Sequence, residues 1–257
     1  MSLSGLDLGL LALAAAGGGA VNALAGGGTL ITFPALTAMG VPALNANVTN
    51  TVALVPGYLG GTIAQRRDLR DQRRRVAVTA LPAVAGGIIG GALLLKTGTA
   101  LFDAVVPWLI LLATGLLAAE PWLKKTVMRR LQSPPAGGQQ TNLVGVGVTA
   151  FAGAVYGGYF GAGLGIVMLA LFSFVLPDSL RRVNALKQTL SLFASGAAAI
   201  LFAATGNVAW TAAAVMAVGA LLGGSLGGRF AGKVRASILR SVIITLGLTI
   251  AVVFFVK

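Results

Sequence analysis

Apolar residues run through this chain in long blocks rather than in alternation. Eight blocks stand out, at about 4–41, 43–65, 76–96, 99–123, 141–177, 179–205, 207–231 and 236–256. Alternation over segments of roughly ten residues would predict a barrel of membrane strands. Continuous apolar runs of about 20 residues predict helices that cross a hydrocarbon core about 30 Å thick. The joints are charged or rich in turn formers: RRDLRDQRRR at 66–75, KKTVMRR running into QSPPAGGQQ at 124–140, and the stretch from Lys233 to Arg240. The run Pro134-Pro135-Ala136-Gly137-Gly138 marks a linker. The expected organisation is a first membrane repeat at 1–123, a linker at 124–140 on the cytoplasmic side, and a second membrane repeat at 141–257, forming one all-α membrane domain.

The two halves carry matching punctuation. Gly26-Gly27-Gly28, Pro34 and Gly40-Val41-Pro42 precede an apolar helix in the first half. Gly161-Ala162-Gly163 and Pro177 do so in the second, at an offset of 135 residues. At an offset of 137, Asn47, Asn50 and Thr51 align with Asn184, Lys187 and Gln188. Each trio has the spacing i, i+3, i+4, which places it on one helix face. Internal duplication of this kind is common in secondary transporters.

Blocks 4–41 and 141–177 are too long for a single span, and glycine interrupts each: at 17–19 and 26–28 in the first, at 157–158 and 161–165 in the second. Charge chooses between two topologies. If every block crosses once, eleven of the 19 Lys and Arg residues share one side and eight lie on the other or near it. If the two long blocks enter and return, seventeen share one side, leaving only Lys96 and Lys257 opposite. Cytoplasmic loops carry the basic excess, so the second topology is expected. Each repeat then holds three spans and a glycine-broken hairpin of two rather short helices. The odd number of crossings inverts the repeats, and both termini lie on the non-cytoplasmic side.

Composition agrees with a lipid environment. Of 257 residues, 56% are hydrophobic and 10% charged, against about 25% charged in soluble domains. Mean hydropathy is +0.90. The sequence contains neither Cys nor His, which excludes disulfides and the usual zinc, haem and iron–sulfur ligand sets; no cofactor and no metal are expected. The N-terminus, MSLSGLDLGLLALAAAGGG, lacks a basic n-region, so no cleaved signal peptide is expected. The net charge of +13 reads as topology signals facing anionic lipid. Nucleic acid is not an expected partner, because no basic stripe alternates with stacking aromatics.

Polar residues inside the blocks mark the candidate site. A broken helix leaves free N–H groups with partial positive charge at the start of its second half. Gly26, Gly27, Gly28, Gly161, Gly163 and Gly165 fit that role, and close helix packing is the alternative reading of the same glycines. Asn184, Lys187, Gln188, Ser191 and Ser195 form a stripe on one helix. Lysine is costly in lipid, so Lys187 either faces the interior or reaches the interface as an anchor. Asn47, Asn50 and Thr51, and Asn22 before the glycine run, either line the site or bond neighbouring helices. Tyr156 and Tyr159 either line a cavity or sit at the interface. The six acids, Asp7, Asp68, Asp71, Asp103, Glu120 and Asp178, fall in the arginine loop or near block ends. With no carboxylate at mid-membrane, donors and a lysine suit a small anion. A membrane enzyme would need a cleft constellation, of which Lys187 and Ser191 are the only trace, so an enzyme is not expected.

AGGGTLITFPALTAMGVPALNANVTNT, with its counterpart YGGYFGAGLGIVMLALFSFVLP and RVNALKQ, resembles the TauE/SafE family of sulfite exporter-like permeases over nearly the full chain. The resemblance implies a secondary transporter of sulfur oxyanions or organosulfonates such as sulfite, sulfoacetate or taurine-derived compounds. It also implies that the helix starts after each glycine motif form the site, marking Asn47, Asn50, Thr51, Asn184, Lys187 and Gln188. The second half departs from the first in lacking Gly-x-Pro before Pro177 and in placing Lys187 opposite Asn50, so the site is asymmetric. The expected protein is an inner-membrane carrier of small anions working by alternating access, with coupling to an ion or proton gradient left open. A passive anion channel is the alternative that the same donors could serve.

Overall fold

The computed structural model describes residues 3–24, 26–132, 143–176, 178–229 and 236–256. The linker from Pro134 to Gly138 lies outside the described residues, as do Pro177, Lys233, Arg235 and Lys257. The regular elements among the described residues are helical. They are α1 (Gly5–Leu24), α2 (Thr29–Ala38), α3 (Ala43–Ala64), a 3-10 helix (Arg66–Gln72), α4 (Arg73–Gln132), α5 (Leu143–Phe160), α6 (Leu164–Val175), α7 (Leu180–Ala203), α8 (Trp210–Arg229) and α9 (Ala236–Val256).

Local chemistry sets the ends. The Ser4 hydroxyl accepts from the Asp7 N–H, and the Asp7 carboxylate accepts from the Ser4 N–H, closing a capping box ahead of α1. Pro42, in extended conformation, opens α3. The Ser179 hydroxyl accepts from the Arg182 N–H at 3.5 Å to open α7. Helix α4 loses helical geometry at Gly98 (φ 69°, ψ −178°), dividing it into arms at 73–97 and 99–132. These arms match the predicted blocks at 76–96 and 99–123.

The two long blocks resolve differently from expectation. Block 4–41 becomes the 20-residue α1 and the 10-residue α2. Block 141–177 becomes the 18-residue α5 and the 12-residue α6. At 1.5 Å per residue, α1 and α5 are about 30 and 27 Å long, and α2 and α6 about 15 and 18 Å. Each hairpin therefore pairs one helix of full length with one of about half length, not two short ones. Among the described residues, α1, α4, α5, α7 and α8 are long and apolar enough to cross a membrane. Helix α3 matches them in length, but Asn45, Asn47 and Asn50 make it more polar.

The molecule is built inside out relative to a soluble domain. Leu6, Leu81, Trp122 and Ile200 are at least 75% exposed, while Asn47, Asn50, Lys187 and Gln188 are fully buried. A surface of this kind is stable only in lipid. Small residues draw the helices together, as expected where lipid removes the hydrophobic drive between spans. Gly219, Gly223 and Gly227 of α8 meet the backbone of Ala12, Ala16 and Ala20 of α1, one turn per step. Gly86, Gly87 and Gly90 of α4 do likewise with α5 and α7. The pairing repeats between halves: α1 and α3 pack on α8, while α5 and α7 pack on α4.

Arginines from three stretches of the chain meet at one end of the bundle, among the described residues. Arg75 pairs with Asp178, Arg182 reaches Asp178 at 3.0 Å and Asp71 at 3.4 Å, and Gln72 donates to the Arg182 carbonyl at 3.0 Å. Arg66, Arg67 and Arg229 line one cavity. At the other end, Asn45 Nδ2 donates to the Asn207 carbonyl at 3.0 Å, and the Ala209 N–H donates to Thr49 Oγ1 at 2.9 Å. Had every block crossed once, the loop 66–75 would lie opposite Arg181, Arg182 and Arg229. The contacts place Arg75, Arg182 and, around one cavity, Arg66, Arg67 and Arg229 at the same end.

Candidate functional site

The tips of the two hairpins touch at the glycine breaks. Gly26 (φ 90°) and Gly163 (φ 77°) both adopt the left-handed conformation that L side chains resist. Gly26 packs on Gly165 so closely that a Cβ on either would collide with the other's backbone. The Gly163 N–H, at the start of α6, donates to Thr29 Oγ1 at the start of α2, at 2.6 Å. The Gly28 N–H donates to Asn22 Oδ1 at 2.8 Å. Of the N–H groups expected to face a ligand, those of Gly28 and Gly163 are therefore held by side-chain oxygens, and that of Gly26 by the Val21 carbonyl at 3.0 Å. Thr29 carries no sequence signal of this role beyond following the glycines.

Helices α3 and α7 flank the tips with polar side chains. Asn47 Nδ2 donates to the Tyr159 carbonyl near the end of α5 at 2.9 Å. Its counterpart Asn184 donates to the Ala23 carbonyl near the end of α1, also at 2.9 Å. Thr51 Oγ1 donates to the Asn47 carbonyl at 2.9 Å and stands against Gly161. Lys187 is fully buried, and its Nζ donates to the Asn22 carbonyl at 3.0 Å. It does not reach the interface as an anchor. The carbonyl it meets lies near the C-terminal, partially negative end of α1, a favourable place for a cation.

Several other polar atoms on these two helices have no partner. Both side-chain atoms of Asn50, both of Gln188, Ser191 Oγ, Asn47 Oδ1 and Asn184 Oδ1 are buried with no hydrogen-bond partner among the described residues. Gln188 stands against Gly61 of α3, where a Cβ would displace it. Leaving a buried polar group unpaired costs about 1–3 kcal/mol, so each of these atoms calls for a water or a ligand as its partner. No Asp or Glu is buried among the described residues, and no group of metal-ligating side chains occurs among them.

Two expected site residues fall elsewhere. The space where a Gly27 side chain would stand faces Ile166, Ile243 and Leu117, so this glycine serves packing. The Tyr156 hydroxyl donates to the Ala162 carbonyl at 2.8 Å within its own hairpin. Its ring joins Phe33 and Phe102 around Phe160, with centroids 5.6 to 6.4 Å apart, walling the site on the α5 side. One polar neighbour of these residues was not foreseen. Gln65 Oε1 accepts from Asn184 at 2.7 Å, and its Nε2 donates to the Ala23 carbonyl at 3.3 Å. It sits beside the arginine run, off both stripes, and its partners are distant in sequence.

Residues 10–254 match the family described as Sulfite exporter TauE/SafE. A Haemophilus influenzae protein named as a probable membrane transporter protein is 29% identical over 212 residues, covering 79% of this chain and 76% of the relative. The Escherichia coli K12 probable membrane transporter protein YfcA is 29% identical over 226 residues, covering 86% of this chain and 79% of its own. A Sinorhizobium protein named as probable membrane transporter protein ORF9 is 24% identical over 215 residues, covering 84% and 79% respectively. No solved structure matches. With its apolar helices, its inside-out polarity and a family match over nearly its whole length, the chain belongs to the sulfite exporter TauE/SafE family of membrane transporters.

Proposed function

We propose that this protein is a secondary transporter of a small anion, sulfite or an organosulfonate, working by alternating access in the inner membrane. The observation that carries the reading is a set of buried polar side chains without partners, Asn50 on α3 and Gln188 and Ser191 on α7. It stands with Lys187 on the two helices that flank the hairpin tips. Donors and a cation without a buried carboxylate among the described residues favour a negative ligand over a cation.

The anion's oxygens accept from Lys187 and the amides of Asn50 and Gln188, with Asn47, Thr51 and Asn184 fixing the hairpin tips around it. The N–H groups of Gly28 and Gly163, now held by Asn22 and Thr29, pass to the anion as the hairpins separate. The repeats are inverted, so that α1 and α2 enter from one side and α5 and α6 from the other, and rocking of one repeat against the other exposes the site alternately. The convergence of Arg66, Arg67, Arg75, Arg182 and Arg229 at one end supports that end as cytoplasmic, with the termini on the opposite side. Sulfite and sulfonate uptake into proteoliposomes tests the site. Lys187→Ala and Asn50→Ala should each reduce it at least about tenfold, the loss of about 1.4 kcal/mol of binding. Unchanged flux in both variants rejects the assignment.

A further inference from the structure

A basic cavity lies away from the hairpin tips, at the end of the bundle where the arginines meet. A cavity of about 370 Å³ opens between the end of α3 and the end of α8. Arg66, Arg67 and Arg229 line it, with Ser225 and, as a backbone floor, Gly60 and Gly228. The floor exists because the two helices meet through glycine: a Cβ on Gly60 would crowd Ser225 and Leu221, and one on Gly228 would strike Ala64. Arg75 and Arg182, at the same end, are paired with Asp178 and Asp71. The cavity contains no carboxylate, and its three guanidinium groups are exposed. Three fork-shaped donors around an open hollow match the oxygens of a phosphate group.

What adjoins the cavity indicates which phosphate. Ile63 lines it and is half exposed, and Leu59, Leu222 and Leu226 continue an exposed apolar surface along the same two helices. A free anion has no use for that surface, whereas acyl chains do. We infer that the groove between α3 and α8 is a binding site for an anionic phospholipid, whose phosphate is held by Arg66, Arg67 and Arg229 and whose chains lie on Leu59, Ile63, Leu222 and Leu226. Basic pockets between membrane helices serve this purpose elsewhere.

The test compares lipid retention by the full-length protein in detergent, read by native mass spectrometry with short-chain phosphatidylglycerol and phosphatidylcholine as probes. Wild type should retain phosphatidylglycerol in preference to phosphatidylcholine. R66Q/R67Q/R229Q should lower that retention at least about fivefold, with helicity and elution volume unchanged. R70Q/R73Q/R74Q removes the same charge from the same end but outside the cavity, and should stay within about twofold of wild type. R66K/R67K/R229K, which keeps charge without the fork, should fall between. If the two glutamine triples lose lipid equally, diffuse attraction accounts for binding and the site is overturned. If inorganic phosphate displaces the lipid at equal concentration, the groove holds free anions and the lipid assignment is overturned. Should the first triple fail to fold, Arg229→Gln alone carries the same comparison.

Discussion

Helices α3 and α7 hold matching places in the two halves, and their matched residues divide into two kinds. Asn47 and Asn184 act alike: each donates at 2.9 Å to a carbonyl at the broken end of the other repeat's hairpin. Three residues further along, the match ends. Lys187 donates to the Asn22 carbonyl, whereas Asn50 has no partner for either side-chain atom. The first position of each stripe therefore builds the scaffold symmetrically, and the second carries the asymmetry a ligand would feel. Lys187 on α7 and Asn50 on α3 thus make the two helices unlike at the one matched position where a charge stands on one side and an amide without partners on the other.

The hairpin tips offer the largest effect by which to break this comparison. Gly26 and Gly165 crowd each other equally, but only Gly26 has a positive φ. Gly26→Val should therefore cost about 3 kcal/mol or more, from overpacking and backbone strain together. Gly165→Val should cost less, about 1–3 kcal/mol from overpacking alone. Thermal unfolding of the purified variants measures both. Equal losses would show that backbone conformation does not distinguish the tips.

The second-position residues come next, and here stability and transport should part. Lys187→Met strands the Asn22 carbonyl and should cost about 1–3 kcal/mol as well as flux. Asn50→Leu replaces an amide without partners by an apolar side chain of similar size. It should leave stability unchanged or raise it by about 1 kcal/mol while abolishing uptake. A destabilised Asn50→Leu protein would mean that Asn50 is bonded in the dominant state, and the contrast with Lys187 would fall.

The stripes themselves were legible because helical spacing is local: i, i+3, i+4 fixes a common face whatever the tertiary fold. The glycine breaks were legible for the same reason. Gly26–Gly28 and Gly161–Gly163 interrupt runs that are too long to be one span, whereas the breaks expected at 17–19 and 157–158 do not occur: those glycines lie inside α1 and α5, where all but Gly17 pack against neighbouring helices. What could not be read was the occupant of each N–H. The Thr29 contact with Gly163 crosses 134 residues, and the Gln65 contact with Asn184 crosses 119. Neither follows from periodicity, which orders a face but does not choose its partner. The unequal helices of each hairpin were also hidden. The sequence marks where a helix stops, but the length on either side depends on which turns the neighbouring helices support. The charge count likewise named no contact: Arg75 and Arg182 meet through Asp178, and Arg182 reaches Asp71, pairings that a count of basic residues does not choose.

Smaller effects should sharpen the scaffold half of the comparison. Asn47→Ala loses one hydrogen bond and should cost about 1 kcal/mol. Asn184→Ala should cost somewhat more, because it also strands Gln65 Oε1. The smallest difference lies where each helix begins. Helix α7 is tied down by charge, through Arg75, Asp178 and Arg182, and α3 by the neutral bond from Asn45 to the Asn207 carbonyl. Burial pushes the Asp178 carboxyl up, but hydrogen bonds from Arg75, the Ser179 N–H and Arg182 outweigh it and hold the group below its ordinary value of 3.8. A carboxyl lowered in the folded state stabilises fully above its unfolded value, and that contribution disappears as pH falls through the folded value. Asp178→Asn should thus lower stability by about 1 kcal/mol or less near neutral pH, and its gap from wild type should close as pH falls below 3.8. Asn45→Ala, which removes an uncharged tie, should show a gap of about 1 kcal/mol that does not move with pH. Unfolding temperatures of the three proteins between about pH 6 and pH 3 decide the matter. A pH-independent gap at Asp178 would mean that α7 is held by packing, as α3 is, and that the asymmetry between the two helices is confined to Asn50 and Lys187.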